Sequence, residues 1–167
     1  MADDVLVGDS GPKGNGVFAA RSFRAGDSIL RFKGRVVQRD EVPRLSAWER
    51  EHLAELTSET YQVLRRPRCY VNHSCAPNSV STSDTVYARQ DITAGEEITI
   101  DYRLNAYDDG DVWEMVCLCE MAPAGHVVRG DFFSLPADVQ KEYLSEAPPF
   151  IQQMYRERIP GCPAKRT

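Results

Sequence analysis

Residues 70–78 read YVNHSCAPN, and residues 95–102 read GEEITIDY. A third stretch, GNGVFAA at residues 14–20, lies upstream and is rich in glycine. Taken singly, the first could be a turn rich in Asn and Ser, and the second a hairpin turn with solvated charges. A lone Gly-x-Gly pattern is equally unspecific. The three stretches in this order are far more specific than any one of them.

Together these stretches resemble the motifs of SET-domain methyltransferases. The resemblance implies a mainly β fold with short helices, in which several small sheets surround a pseudoknot and C-terminal helices are added. It implies a SET domain at residues 1–116 and a post-SET-like segment at residues 117–130. The tail changes character after Asp131, which indicates a C-terminal helical extension at residues 131–167.

The resemblance also implies S-adenosylmethionine as cofactor and assigns roles to individual residues. Tyr102 is the expected catalytic residue, beside the transferring methyl group. The expected cofactor-binding residues are Gly14, Asn15, Gly16, Val17, Phe18, Asn72, His73 and Leu118. Tyr61 and Ile100 are expected in the substrate channel, although Tyr61 could equally be an ordinary strand aromatic. Many SET enzymes carry a hydroxyl at the Ile100 position that limits methylation, so isoleucine predicts that di- or trimethylation is allowed.

The cysteines leave two alternatives open. The resemblance places Cys117 and Cys119 in a post-SET segment that usually supplies three of the four zinc ligands, the fourth being the equivalent of Cys75. Ala124 occupies the position of the missing cysteine. Structural zinc almost always has four ligands, so either His126 completes the set or the site has decayed and the thiols only fill space.

Local patterns predict the secondary structure. Short strands are expected at residues 5–7, 17–20, 28–38, 59–64, 84–90 and 98–100. Ser46 and Glu49 have the spacing of a capping box, which predicts a helix from Ala47 to Leu56. Apolar residues at helical spacing predict two helices after residue 131.

Charge and composition restrict the partners. The 167-residue chain has a net charge of −5 and five cysteines. It lacks the basic surface of a DNA-binding protein, and an acidic protein attracts basic partners such as a lysine-rich peptide. No secretory signal or membrane span is visible in the sequence. We therefore expect a soluble intracellular protein, cytoplasmic or nuclear, with no direct nucleic-acid or membrane partner.

These observations favour a methyltransferase acting on lysines of a basic protein or peptide. Two alternatives remain at this point. One is a SET-fold enzyme for a small-molecule or carrier-bound acceptor. The other is a catalytically silent binding module, against which the presence of Asn72, His73 and Tyr102 together argues.

Overall fold

Short strands are the commonest regular elements in the computed structural model, which describes residues 4–108, 110 and 112–158. The strands are β1 (Val5–Asp9), β2 (Asn15–Ala19), β3 (Ser28–Arg31), β4 (Arg35–Gln38), β5 (Leu53–Glu55), β6 (Thr60–Val63), β7 (Asn72–His73), β8 (Ser79–Ser81), β9 (Thr85–Ala88), β10 (Thr99–Ile100), β11 (Glu114–Val116) and β12 (Val127–Arg129). The α-helices are α1 (Ala47–Glu51), α2 (Ala137–Tyr143) and α3 (Pro149–Arg158). The fold is mainly β with short helices, as predicted.

Within the described residues, the strands form five small sheets. Two are three-stranded, with the orders β3-β9-β8 and β4-β6-β5, and three are the pairs β1-β2, β7-β10 and β11-β12. All pairings are antiparallel except that of β7 with β10. Because each sheet is small, the sheets depend on packing against one another for stability.

The predicted helix from Ala47 to Leu56 is too long. The Ser46–Glu49 capping box is present, and α1 begins at Ala47, but it ends at Glu51. The next residues form β5, in which Leu53 pairs with Val63 on β6. Leu53 also packs on a small apolar cluster under this sheet. Strand pairing and burial therefore override local helical preference.

The predicted extended segment at residues 28–38 is divided between two sheets. Strand β3 pairs with β9, and β4 pairs with β6. The break includes Gly34, where a Cβ would overlap the Val63 carbonyl and the Gln62 side chain. Glycine therefore allows the chain to cross close to β6. The two C-terminal helices are confirmed as α2 and α3.

Two main apolar clusters support the sheets. The first, called the motif core, includes Val17, Phe23, Val71, Ile98 and Ile100, and Tyr102 packs against it. The second joins the C-terminal helices to the rest of the chain. None of the helices in the described ranges is long and apolar enough to cross a membrane.

Candidate functional site

The two signature stretches lie side by side because β7 pairs with β10. The pairing is parallel, with Asn72 opposite Thr99 and His73 opposite Ile100. The Ser74 amide extends the contact by donating to the Ile100 carbonyl at 3.0 Å. Parallel strands require a long connection, and the β8–β9 hairpin lies within it. The threading of one segment beneath the other, which would make a pseudoknot, stays a prediction.

The Asn78 side chain fastens the end of the first stretch to the second. Its Nδ2 donates to the Glu97 carbonyl at 2.8 Å, and its Oδ1 accepts from the Thr99 amide at 2.9 Å. The Ser79 hydroxyl donates to the Thr99 carbonyl at 2.7 Å. These side chains satisfy backbone groups at the start of β10, so the position of β10 depends on the final Asn of the motif.

The glycine-rich loop joins the same place through Asn72. The Asn72 Nδ2 donates to the Asn15 carbonyl at 3.0 Å and to Glu97 Oε1 at 2.8 Å. The Ile98 amide donates to the Val17 carbonyl at 2.7 Å. The structure thus brings all three motifs together at Asn72. Among the described residues, Asn72 Oδ1 accepts no hydrogen bond, so it is available to a ligand.

Glycine is required twice in this loop, for different reasons. Gly14 has a φ of +76°, in the left-handed region that favours glycine, and a Cβ there would meet no atom within 4 Å. At Gly16 a Cβ would lie 2.6 Å from Glu97 Oε1. Asn15 is exposed, and Phe18 is half-buried. The open side at Gly14 and the unused acceptor on Asn72 fit the ammonium-bearing methionine end of S-adenosylmethionine.

Glu97 is the electrostatic centre of this arrangement. Its carboxylate accepts from the Ser10 hydroxyl at 2.6 Å and from Asn72, and it pairs with Lys13. Partial burial acts to raise the pKa of Glu97, but the bonds from Asn72, Lys13 and Ser10 prevail and lower it. The carboxylate is therefore ionised at neutral pH. It ties the turn between β1 and β2 to Asn72 on β7.

His73 is buried beneath the strand pair and is neutral. Burial lowers the pKa of His73 to about 4, although Asp101 opposes this effect. The 3.6 Å approach of His73 Nδ1 to Asp101 Oδ1 is therefore not an ion pair at pH 7. The cation that Asp101 pairs with is Arg103, at 2.6 Å. The Tyr102 amide donates to His73 Nδ1 at 3.3 Å, which ties the two motifs together at the tyrosine.

Tyr102 is held by the segment that carries Asn72. Its hydroxyl donates to the Val71 carbonyl at 2.8 Å. Burial raises the pKa of Tyr102, with Arg68 opposing it, so the hydroxyl is neutral at pH 7. The ring centroid lies 5.5 Å from that of His73. A neutral phenol that donates its proton to a backbone carbonyl still has an acceptor oxygen, which can accept a hydrogen bond from an amine and position it.

The two predicted channel residues have different environments. Ile100 is 3% exposed in the motif core, against which Tyr102 also packs. Tyr61 lies on β6 and packs on the separate cluster of Val37, Leu45 and Val63. The structure therefore brings Ile100 to the site, whereas the contacts of Tyr61 belong to another sheet. The channel role of both stays a prediction.

Three of the predicted metal ligands form one thiol cluster. The Cys75 and Cys117 sulfurs are 3.7 Å apart, and those of Cys117 and Cys119 are 3.2 Å apart. The Cys75 amide donates to Cys119 Sγ at 3.4 Å. Leu118, between the two buried thiols, is 51% exposed and available to a ligand. The cluster connects the first motif to the post-SET-like segment.

The side chain of His73 approaches this cluster, whereas the described contact of His126 with it is made by the backbone. His73 Nε2 lies 3.4 Å from Cys75 Sγ, and the ligand atoms of His73, Cys75 and Cys117 all lie within 4.8 Å of one another. The carbonyl of His126 accepts from the Cys117 amide at 2.7 Å, and the charge of His126 acts on His73. Zinc–sulfur bonds of about 2.3 Å imply sulfur separations of about 3.8 Å in a tetrahedron. The Cys75–Cys117 spacing and the soft donor set fit such an ion.

The thiols are electrostatically unequal in the absence of a metal. Burial and the neighbouring sulfurs raise the pKa of Cys75 to about 12. Burial opposes ionisation of Cys119 too, but hydrogen bonds from the Cys75 amide and from Cys117 lower its pKa to about 7. A bound metal ion would favour the thiolate of every ligand.

Several residues of the site were missed by sequence reasoning. Glu97 and Asn78 lie within the two signature stretches, but the sequence assigns no role to either. Ser10 and Lys13 have no local pattern that identifies them, and Asp101 lies in the second stretch without an assigned role. Their roles depend on contacts between segments far apart in sequence, so only the fold exposes them.

Comparison with known proteins gives this geometry a family context. A family model described as the SET domain matches residues 14–103. Histone-lysine N-methyltransferase ATX2 from Arabidopsis thaliana is 31% identical over 138 residues, which cover 69% of this chain but 12% of that protein. The variant-silencing SET domain-containing protein of Plasmodium falciparum is 28% identical over 138 residues, covering 70% of this chain and 5% of that protein. The chain thus spans a small part of the length of either relative.

Proposed function

This chain belongs to the SET-domain family, whose members are methyltransferases, and we propose that it transfers methyl groups from S-adenosylmethionine to lysine side chains of a basic protein. The observation that carries the proposal is the arrangement of three consecutive residues. Val71 holds the Tyr102 hydroxyl, Asn72 binds the glycine-rich loop, and His73 receives the Tyr102 amide. One short segment therefore links the expected cofactor loop to the expected catalytic hydroxyl.

We assign cofactor binding to the loop and to β7. The backbone of Gly14 and Asn15 and the Asn72 Oδ1 would hold the methionine end, and exposed Leu118 would cover the adenine end. When bound, S-adenosylmethionine supplies a methyl group that passes to the acceptor nitrogen, while the bonding electron pair stays on sulfur and the nitrogen releases a proton. Apolar residues of the motif core exclude water around Tyr102.

Tyr102 orients the acceptor. Its hydroxyl is fixed by the Val71 carbonyl and its ring by the motif core. A fixed phenol oxygen can align the amine lone pair with the methyl group, and alignment of this kind accounts for much of the rate of a displacement reaction. No covalent intermediate is required.

A basic protein is the acceptor that the charge of the chain favours. The net charge of −5 attracts lysine-rich segments, and the Arabidopsis relative is named a histone-lysine N-methyltransferase. Since Ile100 offers no hydroxyl near Tyr102, we infer that the enzyme can add two or three methyl groups.

We also propose that the thiol cluster holds a structural zinc ion through Cys75, Cys117 and Cys119, with His126 as the fourth ligand predicted from the sequence. His73 is the competing fourth ligand, because its Nε2 lies 3.4 Å from Cys75 Sγ. Ligation through Nε2 would need the tautomer protonated at Nδ1, which would give up the bond from the Tyr102 amide. The ion would keep the post-SET-like segment against the first motif.

Tyr102→Phe tests the proposal. The variant should lose most methyl transfer to lysine-rich peptide arrays, because the hydroxyl is absent, and should still bind S-adenosylmethionine in calorimetry. Tyr87→Phe, a half-buried tyrosine on β9, is the matched control and should keep full activity.

Full activity of Tyr102→Phe would show that Tyr102 is misassigned. A small-amine panel run beside the peptide arrays tests the acceptor class. Cofactor binding with labelling of a small amine alone would favour a metabolite enzyme, and binding without any labelled acceptor would favour a silent module.

A further inference from the structure

Arg68 is a buried cation that lies just before the strand carrying Asn72. It begins a single turn of 3-10 helix, Arg68–Tyr70, and only 4% of the residue is exposed. Charged side chains are almost never buried to this extent unless an opposite charge accompanies them. Burial lowers the pKa of Arg68 to about 10, so the guanidinium is still positively charged at neutral pH.

Within the ranges that the structure describes, Arg68 makes no ion pair. Its Nε and Nη2 donate to the Ser81 hydroxyl at 3.3 and 3.1 Å, and its guanidinium carbon lies 5.4 Å from the centroid of the Phe32 ring. A hydroxyl and an aromatic face leave the positive charge without a counter-ion. Burying such a charge costs free energy, so a purely structural role would be served better by an apolar side chain.

The charge of Arg68 lies within electrostatic reach of Tyr102. The Val71 amide donates to the Arg68 carbonyl at 3.1 Å, and the Val71 carbonyl accepts the Tyr102 hydroxyl at 2.8 Å. Phe32, over which the guanidinium lies, packs on the motif core, as Tyr102 does. The charge of Arg68 opposes the rise in the pKa of Tyr102 that burial causes. The phenol oxygen therefore lies in the field of a fixed positive charge.

The other groups described around Tyr102 do not cancel this charge. The charged ones are already in ion pairs, Lys13–Glu97 and Arg103–Asp101. The titratable ones are neutral at pH 7, because burial lowers the pKa of His73 and raises that of Cys69. Arg68 is thus the uncompensated charge beside the phenol.

The acceptor in the proposed reaction has to be a neutral amine. A lysine ammonium, whose ordinary pKa is about 10.4, first gives a proton to water, because only a free nitrogen lone pair can attack the methyl group. The bond between the methyl group and sulfur then breaks, its electron pair stays on sulfur, and the positive charge passes to nitrogen. A positive charge nearby disfavours the ammonium relative to the amine.

We propose that Arg68 is a positioning residue whose fixed positive charge beside Tyr102 favours the neutral amine of the acceptor lysine over its ammonium form. The inference rests on the proposed function and adds to it the way in which the acceptor loses its proton. In a buried site a charge acts more strongly than it does in water. The proton leaves to solvent, so no side chain has to receive it.

Arg68→Met tests the inference because it removes the charge and keeps an unbranched side chain. The single-turnover rate at saturating enzyme reports the chemistry of the bound complex. Loss of the positive neighbour raises the pKa of the bound ammonium, so the rate at pH 7 should fall by about 3- to 30-fold, and the pH profile should move up by about 0.5–1.5 pH units. The rate should return toward the parent value at pH 9.

Two further variants separate charge from structure. Arg68→Lys keeps a positive charge and should restore part of the rate at pH 7. Arg65→Met removes a charge from the same segment and should leave the profile in place, because Arg65, like Arg66, is exposed to solvent. Apolar replacement of a buried charge is often neutral or stabilising, so Arg68→Met should still unfold cooperatively in urea.

A structural role for Arg68 would give a different pattern. If Arg68→Met lowered the rate by the same factor at every pH, the inference would be overturned. A rate that equalled that of the parent at every pH would overturn it as well.

Peptide binding separates this inference from the proposed function. Two peptides of one sequence, with lysine or its uncharged analogue norleucine at the target position, are compared at pH 7 without cofactor. Arg68→Met should strengthen binding of the lysine peptide relative to the norleucine peptide by about 3- to 30-fold, because the ammonium no longer meets a like charge. If the parent enzyme methylates no peptide, the proposed function fails, and this comparison alone decides the role of Arg68; equal changes for both peptides, or binding of neither, would reject it.

Discussion

Glu97 joins three segments that are distant in the sequence, and its negative charge serves all of them. Ser10 and Lys13 reach it from the turn between β1 and β2, and Asn72 reaches it from β7. Hydrogen bonds to a charged group are the stronger ones. The carboxylate therefore contributes stability that depends on its ionisation.

Glu97→Gln is expected to destabilise the protein at neutral pH by about 1–3 kcal/mol, the usual cost of losing a charged hydrogen-bond partner. Since the pKa of Glu97 is lowered in the folded state, its contribution is present above the unfolded pKa and is lost as the pH falls through the folded value. Urea denaturation should give clearly different free energies of unfolding for parent and variant at pH 7, and a smaller difference between them at pH 3.5.

The exposed carboxylate of Glu51 on α1 supplies the control. In Glu51→Gln the free energy of unfolding should change between pH 7 and pH 3.5 by the same amount as in the parent. If Glu97→Gln lost the same unfolding free energy at both pH values, the shape of the Glu97 side chain, and not its charge, would explain its role.

Ile100 carries the prediction on product number. The parent enzyme should convert a good lysine substrate to the di- or trimethyl form at long reaction times, because no hydroxyl from position 100 can hold a water beside Tyr102. Mass spectra that show only monomethyl product would contradict this. Ile100→Tyr should shift the product toward monomethyl-lysine, and Ile100→Phe separates the effect of the hydroxyl from that of ring size. Circular dichroism must confirm that both variants fold, since Ile100 is buried.

At the scale of elements, the sequence identified segments with strong local signals. The capping box placed the start of α1, and apolar residues at helical spacing predicted the two C-terminal helices. Strands β7, β8, β11 and β12 were not predicted, because two or three residues are too few to show a strand period. The end of α1 was wrong because the pairing of β5 with β6 is a long-range contact.

The same distinction applies to the site. The sequence motifs alone predicted Asn72, His73 and Tyr102 as site residues, and the structure brings them into contact. The sequence could not identify Ser10 or Lys13, because their importance comes from contacts with Glu97, more than 80 residues away in the chain.

The post-SET-like segment carries a prediction about metal. Protein purified without chelator should contain about one zinc ion per chain, and Cys117→Ser should lose it, because Cys117 supplies the sulfur that lies within 3.7 Å of both other thiols of the cluster. Cys69→Ser is the control, since Cys69 is half-buried and lies outside the described thiol cluster. Chelator should lower the melting temperature of the parent but not that of Cys117→Ser.

The fourth ligand can be identified in the same way. His126→Ala should reduce zinc content if His126 binds the ion, and retained zinc in this variant would transfer the role to His73. Absence of stoichiometric zinc from the parent would support the alternative in which the thiols only fill space.

At the scale of the whole molecule, the proposed division at residues 116 and 130 does not coincide with a break in the core. Phe132 and Leu135 are buried together with Val80 and Leu104. The last part of the predicted extension, residues 159–167, lies outside the described residues. The segment at residues 131–158 therefore shares its core with the motif-bearing part of the chain.

Polar contacts join the same two parts. The Arg89 guanidinium approaches Glu146 at 2.7 Å and Glu142 at 3.2 Å, and it donates to the Tyr143 hydroxyl at 3.2 Å. Arg89 follows β9, whereas its three partners lie on α2 or directly after it. Both apolar and charged contacts therefore cross residue 131.

A chain that ends at residue 130 is therefore expected to lose cooperative unfolding, because Val80, Leu104 and Tyr107 would lose their apolar cover. A chain that ends at Arg158 is the matched control; it keeps every described contact and should unfold with the midpoint of the parent. Ile151→Ala is a milder test in the full chain, because Ile151 is fully buried and its truncation should cost about 2–5 kcal/mol. If the chain ending at residue 130 unfolded cooperatively with an unchanged midpoint, the helices would be an appendage and not part of the folding unit.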